Sequence, residues 1–245
     1  MSIQTVVTLS GGMDSTVCAT LAVQEYDASH VAALHVSYGQ RTEAREQRAF
    51  TEICDRLGIE RRLIVRNQAL SQIGGSALTD STLAVPSAGP EIGHAPAAGS
   101  AAFSVPITYV PFRNAHFLSV AVSWAEVVGA HTIYIGAVEQ DSSGYPDCRP
   151  PYYAAFQQLI NTGTRDANIQ VVTPLISSSK AEIIRLGLEC NAPLDLTWSC
   201  YREEQIACGS CESCVLRLRA FAAVGVPDPI PYAHHAYAPG TTHEV

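Results

Sequence analysis

The sequence is poor in charge and has no excess of basic residues. Charged residues make up 16 % of its 245 residues, and 15 Lys and Arg against 23 Asp and Glu give a formal net charge of −8. A protein that coats nucleic acid needs a basic face toward the phosphates, so this balance argues against that class. We therefore expect no nucleic-acid partner.

Long apolar runs are absent as well. No run approaches the roughly 18 to 20 apolar residues that span a bilayer. The first residues lack the basic start and the cleavage site of a signal peptide, so we expect a cytoplasmic protein with no membrane partner. In that compartment the eight cysteines should stay mostly reduced. A hydrophobic fraction of 47 % is enough for a full core without disulfides.

Apolar runs of strand length alternate with segments of helical spacing along most of the chain. We predict strands at 5–10, 30–39, 61–66, 131–139 and 169–176. We predict helices at 13–26, 42–58, 115–130, 151–163 and 179–190. Buried strands that alternate with helices indicate an α/β fold, with a parallel sheet covered by helices on both faces. Such sheets bind their ligands at the carboxyl ends of the strands.

The alternation is interrupted once and stops before the C-terminus. Residues 71–106 are rich in Ser, Ala, Gly and Pro, and we expect a long loop there, either a lid or a surface insertion. Residues 197–226 hold a cysteine cluster and a helix, and residues 227–245 form a tail without periodicity. We therefore expect a nucleotide-binding domain over 1–196 that carries a small C-terminal appendage.

The first predicted strand ends on a stretch of small and hydroxyl residues, SGGMDST at 10–16. Its two glycines let the backbone turn tightly, and the helix that follows offers unpaired N–H groups and the positive end of its dipole. Asp14 fits beside a phosphate if it holds Mg²⁺. The stretch lacks the lysine of a Walker loop and the third glycine of a dinucleotide loop. An ordinary strand-to-helix turn is the alternative.

Four of the eight cysteines crowd into fifteen residues, as Cys200, Cys208, Cys211 and Cys214. Zinc prefers four soft ligands in a tetrahedron, and two overlapping C-x2-C steps can place thiolates on one ion. Four protein ligands leave no open position, so the predicted zinc site is structural. An iron–sulfur cluster is the competing interpretation.

The stretch at 10–15 resembles the SGGxDS loop of the ATP-pyrophosphatase families, in which ATP is split between its α- and β-phosphates. Over nearly its whole length the sequence resembles the QueC family, the 7-cyano-7-deazaguanine synthases. The resemblance is carried by SGGMDST at 10–16, YGQR at 38–41, SALTD at 76–80, VPFRN at 110–114, SGYPDCRP at 143–150, TPL at 173–175, SKAEI at 179–183 and TWSCYREEQIACGSCESC at 197–214.

This resemblance implies an adenine-nucleotide-hydrolase-like fold of Rossmann type and an ATP-dependent ligase that forms a carbon–nitrogen bond. The family converts 7-carboxy-7-deazaguanine, ATP and ammonia to the nitrile. ATP activates the carboxylate by adenylation, ammonia displaces AMP to give an amide, and a second activation drives dehydration. The family also implies a homodimer and ATP used with Mg²⁺.

By position, the resemblance implies that the loop and the helix after it bind the nucleotide. These residues are Leu9, Ser10, Gly11, Gly12, Met13, Asp14, Ser15, Thr16, Val17, Cys18 and Ala19, joined by Arg41, Arg113 and Asn114. The implied catalytic residues are Asp14, Lys180, Arg149 and Asp147, with Asp147 accepting from a guanine-like edge and Arg149 pairing an anion. Structural roles are the alternative for Lys180, Arg149 and Asp147, and a surface position is the alternative for Arg41.

The chain departs from the family pattern at three places. Phe112 stands where glycine is expected, Pro151 and Tyr152 replace an acidic residue and Phe, and Thr42 replaces a histidine. We expect Phe112 on the wall of the substrate pocket. Other activities stay open: an enzyme that stops at the amide or adenylates another carboxylate, a tRNA-modifying ATP-pyrophosphatase, and a nucleotide-binding protein without catalysis.

Overall fold

The computed structural model describes residues 2–88, 105–139 and 144–233. Five strands lie in these ranges: β1 (Thr5–Thr8), β2 (Val31–Ser37), β3 (Arg61–Arg66), β4 (Thr132–Ile135) and β5 (Gln170–Val172). The helices there are α1 (Met13–Tyr26), α2 (Glu43–Leu57), α3 (Ala69–Ile73), α4 (Arg113–Val128), α5 (Pro150–Gly163), α6 (Lys180–Glu189) and α7 (Glu212–Val224). None of these helices combines the length and the hydropathy of a membrane-spanning segment.

The strands form one parallel sheet in the order β3-β2-β1-β4-β5. The central strand β1 pairs along its full length with β2 on one side and with β4 on the other. The chain moves outward from β1 to β3 and then crosses back to β4. The order therefore reverses between β1 and β4, which opens a crevice at their carboxyl ends.

Helices cover both faces of the sheet, as the alternation predicts. Val6 of β1 packs into a buried cluster with Leu118 of α4, whereas Val7 packs into a second cluster with Val17 of α1. Neighbouring residues of a strand point to opposite faces, so one central strand supplies both cores. The second cluster also takes residues from α2, α6 and α7, and the first takes residues from α5. The predicted parallel α/β sheet with helices on both faces is confirmed.

The C-terminal segment packs against the main sheet domain. The N–H of Trp198 donates to the Gly11 carbonyl over 2.8 Å. Arg217 of α7 is buried and forms an ion pair with Asp228 at 2.7 Å, and its Nη1 donates to Thr197 Oγ1 over 2.6 Å. The cysteines of this segment belong to the same buried cluster as α1 and α2. The division at residue 196 stays a prediction, and the segment is in close contact with the sheet domain.

Part of the predicted loop at 71–106 is ordered against the C-terminal segment. It begins inside α3, a short helix that the sequence pattern does not predict. Nη2 of Arg202 donates to the Val85 carbonyl over 2.6 Å, and Ser87 forms an antiparallel bridge with Cys211. Residues 89–104, and with them the prediction of a lid, lie outside the described ranges, as do residues 234–245 of the predicted tail.

Gly136, directly after β4, lies against the backbone at the start of α1. A Cβ at this position would lie 2.8 Å from backbone atoms of Asp14 and Ser15. We predict that Gly136→Ala destabilises the fold by about 1–3 kcal/mol, the usual cost of overpacking, and displaces the loop before α1. Urea unfolding measures the effect.

Gly163→Ala is the matched control, because its added Cβ meets no atom within 4 Å. That variant should unfold like the wild type. Equal unfolding free energies for Gly136→Ala and the wild type would contradict the close packing between β4 and α1.

Candidate functional site

A cavity of about 280 Å³ lies at the carboxyl ends of β1, β2 and β4, on the crevice where the strand order reverses. The loop after β1 forms its floor, and residues that follow β2 and β4 form two walls. Helices contribute Glu46, Arg113 and Lys180, and the C-terminal segment contributes Trp198 and Tyr201. The predicted position of the ligand site at the carboxyl ends of the strands agrees with this cavity.

The loop after β1 is held by its own hydroxyl groups. The hydroxyls of Ser10 and Ser15 lie 3.0 Å apart, and Ser15 and Thr16 both donate to the Gly12 carbonyl, over 3.0 and 2.8 Å. Gly11 has a φ of 89°, which favours glycine. Because Gly12 is the N-cap of α1, no side chain caps the first turn. The N–H groups of that turn can therefore bind an anion.

An ion pair lies next to this loop. Lys180 Nζ lies 2.6 Å from Asp14 Oδ2, and both side chains are mostly buried. The other carboxylate oxygen, Asp14 Oδ1, is buried with no hydrogen-bond partner in the protein. Lys180, the only lysine in the sequence, begins α6, and the Ser179–Glu182 capping box fixes that helix start. The pair thus offers a fixed ammonium group and an unused carboxylate oxygen at one place in the cavity.

Another part of the cavity lining consists of aromatic rings around one arginine. We call it the aromatic chamber, and it consists of Tyr38, Arg113, Phe117, Tyr145 and Tyr201. Arg113 Nη1 donates to the Tyr38 hydroxyl over 3.1 Å, and the guanidinium carbon lies 5.5 and 5.8 Å from the ring centres of Tyr38 and Phe117. Arg113 Nε is buried without a hydrogen-bond partner. Burial raises the pKa of Tyr38 to about 12, so its hydroxyl stays protonated at neutral pH.

Glu46 of α2 adds a carboxylate to the same cavity. Gln40 Nε2 donates to Glu46 Oε2 over 3.0 Å, and Thr42 Oγ1 donates to Glu46 Oε1 over 2.8 Å. Burial raises the pKa of Glu46 to about 7, against the opposing effect of these two donors. The carboxylate is therefore fixed in position and close to its titration midpoint at neutral pH.

The predicted nucleotide-binding stretch divides between the cavity and the core. Its cavity-lining members are Leu9, Ser10, Gly12, Met13, Asp14 and Ser15. Val17, Cys18 and Ala19 are fully buried in the hydrophobic cluster, because other helices as well as the sheet pack around α1, with Val17 lying against Gly187 of α6. Arg113, Asn114 and Lys180 also line the cavity. The structure thus brings nine of the residues proposed from sequence to one site.

Five other predicted residues do not line the cavity: Gly11 and Thr16 of the loop, and Arg41, Asp147 and Arg149. Arg41 donates from Nε to the Ala77 carbonyl over 2.7 Å and from Nη2 to the Asp80 carbonyl over 2.9 Å, so it holds a surface segment. Asp147 is buried, and its Oδ2 accepts the backbone N–H of Asn114 over 3.0 Å at the start of α4. Arg149 is the half-buried N-cap of α5.

Phe112 does not line the cavity either, contrary to the expectation of a pocket wall. It is the N-cap of α4 with a φ of 58°, and its side chain is 59 % exposed. Its ring meets the edge of Tyr152 with centroids 6.3 Å apart. A left-handed conformation suits glycine best, which gives a backbone reason for the glycine expected at this position.

Several cavity residues had no role in the sequence prediction. Tyr38 and Tyr145 lie inside the quoted stretches YGQR and SGYPDCRP, and Trp198 and Tyr201 flank the first cysteine of the cluster. Glu46 carries no signal of its own, because an acidic residue on an amphipathic helix normally indicates a solvated face. Only the contact of α2 with Gly11, in the loop that follows β1, brings Glu46 to the cavity.

The four cysteines of the C-terminal segment come together as predicted. Their sulfur atoms all lie within 4.8 Å of one another, and all four side chains are buried. Backbone N–H groups of Arg202, Glu203 and Cys208 donate to Cys200 Sγ over 3.3–3.4 Å. Donation from the neighbouring thiols and from these N–H groups lowers the pKa of Cys200. The cluster can bind a metal ion, because four cysteine sulfur atoms this close together can act as ligands of one ion.

Comparison with known proteins identifies related sequences over almost the whole chain. The family described as "Queuosine biosynthesis protein QueC" matches residues 4–225. A "7-cyano-7-deazaguanine synthase" of Koribacter versatilis is 62 % identical over 228 residues, which cover 93 % of this chain and 92 % of that protein. The protein of the same name from Acidobacterium capsulatum is 59 % identical over 229 residues, covering 94 % and 96 %.

Solved structures are more distant. The structure of NMN synthetase from Francisella tularensis has a TM-score of 0.42 at 14 % sequence identity and covers 80 % of this chain and 64 % of its own.

Loss of one cysteine of the cluster should remove the metal and destabilise the C-terminal segment. We predict that Cys211→Ser lowers both the yield of folded protein and the melting temperature, since metal binding contributes folding free energy. Elemental analysis should find one metal ion per wild-type chain and a clear loss in the variant.

Cys190→Ser is the matched control, because Cys190 is also buried but lies outside the cluster, and a serine hydroxyl can replace its bond to the Gly187 carbonyl. This variant should keep the metal. A soluble, metal-free Cys211→Ser protein with wild-type stability would contradict a structural role.

Proposed function

The chain belongs to the QueC family of queuosine biosynthesis proteins, and we propose that it is an ATP-dependent ligase that makes 7-cyano-7-deazaguanine. Its substrates are 7-carboxy-7-deazaguanine, ATP and ammonia. The observation that carries the proposal is the loop at 10–16, placed with the Asp14–Lys180 pair on the floor of the cavity. The name shared by relatives that cover nearly the whole chain supports the substrate.

The phosphates of ATP bind at the loop and the first turn of α1. The uncapped N–H groups and the hydroxyls of Ser10 and Ser15 point to an anion site, and Lys180 adds a positive charge. Asp14 would hold Mg²⁺ through its unpartnered Oδ1, since a hard cation prefers oxygen ligands. When bound, the ion would neutralise charge on the departing pyrophosphate.

The reaction uses the same phosphate site twice. A carboxylate oxygen of the substrate attacks the α-phosphorus of ATP and releases pyrophosphate, and ammonia then attacks the acyl carbon as AMP leaves with the oxygen. The resulting amide oxygen attacks a second ATP in the same way. Loss of AMP and of the two amide protons leaves the nitrile. Lys180 stabilises the negative charge that develops on the pyrophosphate in both adenylations.

Two further predicted residues act beside this centre. Asp147 is a positioning residue, since its carboxylate and its carbonyl both hold Asn114, which lines the cavity. Arg149 is proposed as an anion partner because Cys148, the residue before it, lines the cavity.

For the cysteine cluster we propose structural zinc, since four thiolates complete the coordination of the ion. Iron in elemental analysis would instead indicate an iron–sulfur cluster. A homodimer is proposed on the family resemblance alone, and a cytoplasmic location is proposed from the sequence pattern.

The purified protein should convert the acid to the nitrile. We predict that incubation with 7-carboxy-7-deazaguanine, ATP, Mg²⁺ and ammonium gives 7-cyano-7-deazaguanine and AMP in the ratio one to two, measured by mass spectrometry. Accumulation of the amide with one AMP would identify an enzyme that stops at the first step. AMP formation only with another carboxylate, or none at all, would refute the assignment.

Asp14→Asn should abolish this turnover while the fold is retained. Removing the charge that anchors the cation and pairs with Lys180 should lower AMP production by at least ~100-fold, the scale of a lost electrostatic stabiliser. Asp195→Asn, which removes an exposed carboxylate paired with Arg56 on the surface, is the control and should keep full activity. Wild-type rates in Asp14→Asn would reject the role of Asp14.

A further inference from the structure

The cavity is lined by two chemically different groups of residues. Asp14, Lys180 and the loop at 10–16 suit an anion with a cation. The aromatic chamber presents flat rings and one guanidinium, and the same cavity is lined by Glu46. A planar, uncharged ring system with both donors and acceptors matches the chamber, whereas a polyphosphate does not. If the ATP phosphates lie at the loop, the chamber is left for the acceptor substrate.

Arg113 and Glu46 face the same cavity without neutralising each other. They lie near enough for the charge of Arg113 to lower the pKa of Glu46, yet in the described part of the chain no ion pair joins them. Arg113 Nε is buried and has no acceptor. Each oxygen of Glu46 receives one hydrogen bond from the protein and has room for a second, because a carboxylate accepts about four in all.

The hydrogen-bonding groups that the protein leaves unused match one edge of a guanine-type ring. One N–H donor on Arg113 and two adjacent acceptor oxygens on Glu46 line one cavity. The pyrimidinone edge of a guanine-type ring presents the complement, an oxo oxygen followed by a ring N–H and an amino group. Asp147 is not available for this edge, because it caps α4 through Asn114 and does not line the cavity.

We propose that Glu46 is a specificity-determining residue that accepts hydrogen bonds from the ring N–H and the 2-amino group of the substrate, while Arg113 Nε donates to the oxo oxygen. This inference rests on the proposed function and names how the site selects a 7-deazaguanine. Gln40 and Thr42 are the supports that hold the Glu46 carboxylate toward the ring. The Tyr38 and Phe117 rings, which lie next to each other and next to Arg113, provide the aromatic surface for stacking.

Direct binding tests this recognition without turnover. Isothermal titration of the full-length, metal-loaded protein would compare 7-carboxy-7-deazaguanine with the analogue that lacks the 2-amino group. The wild type should prefer the amino compound by at least about 10-fold, since hydrogen bonds to a charged group are strong. In Glu46→Gln this preference should fall to about 2-fold or less, with ATP affinity unchanged, because the variant loses one acceptor.

Glu43→Gln is the matched control. It removes the same charge from the same helix, but Glu43 pairs with Arg66 at 3.8 Å and does not line the cavity. This variant should keep the wild-type preference. If Glu46→Gln fails to fold, Glu46→Asp serves instead, since it keeps the charge but withdraws the oxygens, and it should weaken binding of the acid and leave ATP binding intact.

The outcomes separate the two proposals. An unchanged preference for the amino compound in Glu46→Gln would overturn the inference and leave the proposed function standing. A loss of ATP affinity with normal binding of the acid would also overturn it, because Glu46 would then hold the ribose. If the wild type binds ATP but neither acid, the substrate of the proposed function is wrong and the inference falls with it.

Discussion

Backbone contacts around the phosphate loop are the constraint on which the site depends. The Gly11 carbonyl accepts the N–H of Trp198 over 2.8 Å, and a Cβ on Gly11 would lie 2.7 Å from the Glu46 carbonyl. Gly136 lies equally close to the other side of the loop. Strand β4, helix α2 and the C-terminal segment therefore all contact the same loop. Each of them contributes residues that line the cavity. Glycine is required where backbones approach this closely.

The cysteine cluster holds together the segment that forms one of these cavity walls. Cavity residues Trp198, Ser199 and Tyr201 surround Cys200 in the chain, and the Cys200 carbonyl accepts from Thr42, the same hydroxyl that supports Glu46. The segment between the cysteines has few regular elements of its own. Cross-linking through a metal can replace the core that such a short segment cannot build.

Charged groups of two kinds line the cavity. Lys180 forms an ion pair with Asp14 at the loop that follows β1, whereas in the described part of the chain Arg113 and Glu46 form no ion pair with each other. A net charge of −8 would disfavour an anionic ligand at long range, but a few fixed donors at a helix N-terminus overcome it at short range.

The sequence by itself determined the parallel sheet, the glycine-containing loop before α1 and the cluster of four cysteines, because each depends on local spacing. Alternating strands and helices, two glycines before a helix and C-x2-C steps all act within a few neighbouring residues. Only the tertiary structure decided what faces the cavity. Asp147 accepts a hydrogen bond at the start of α4 and Arg41 donates to backbone carbonyls, because both take their partners from distant segments. Glu46 lines the cavity because α2 packs against Gly11, which is also distant in sequence.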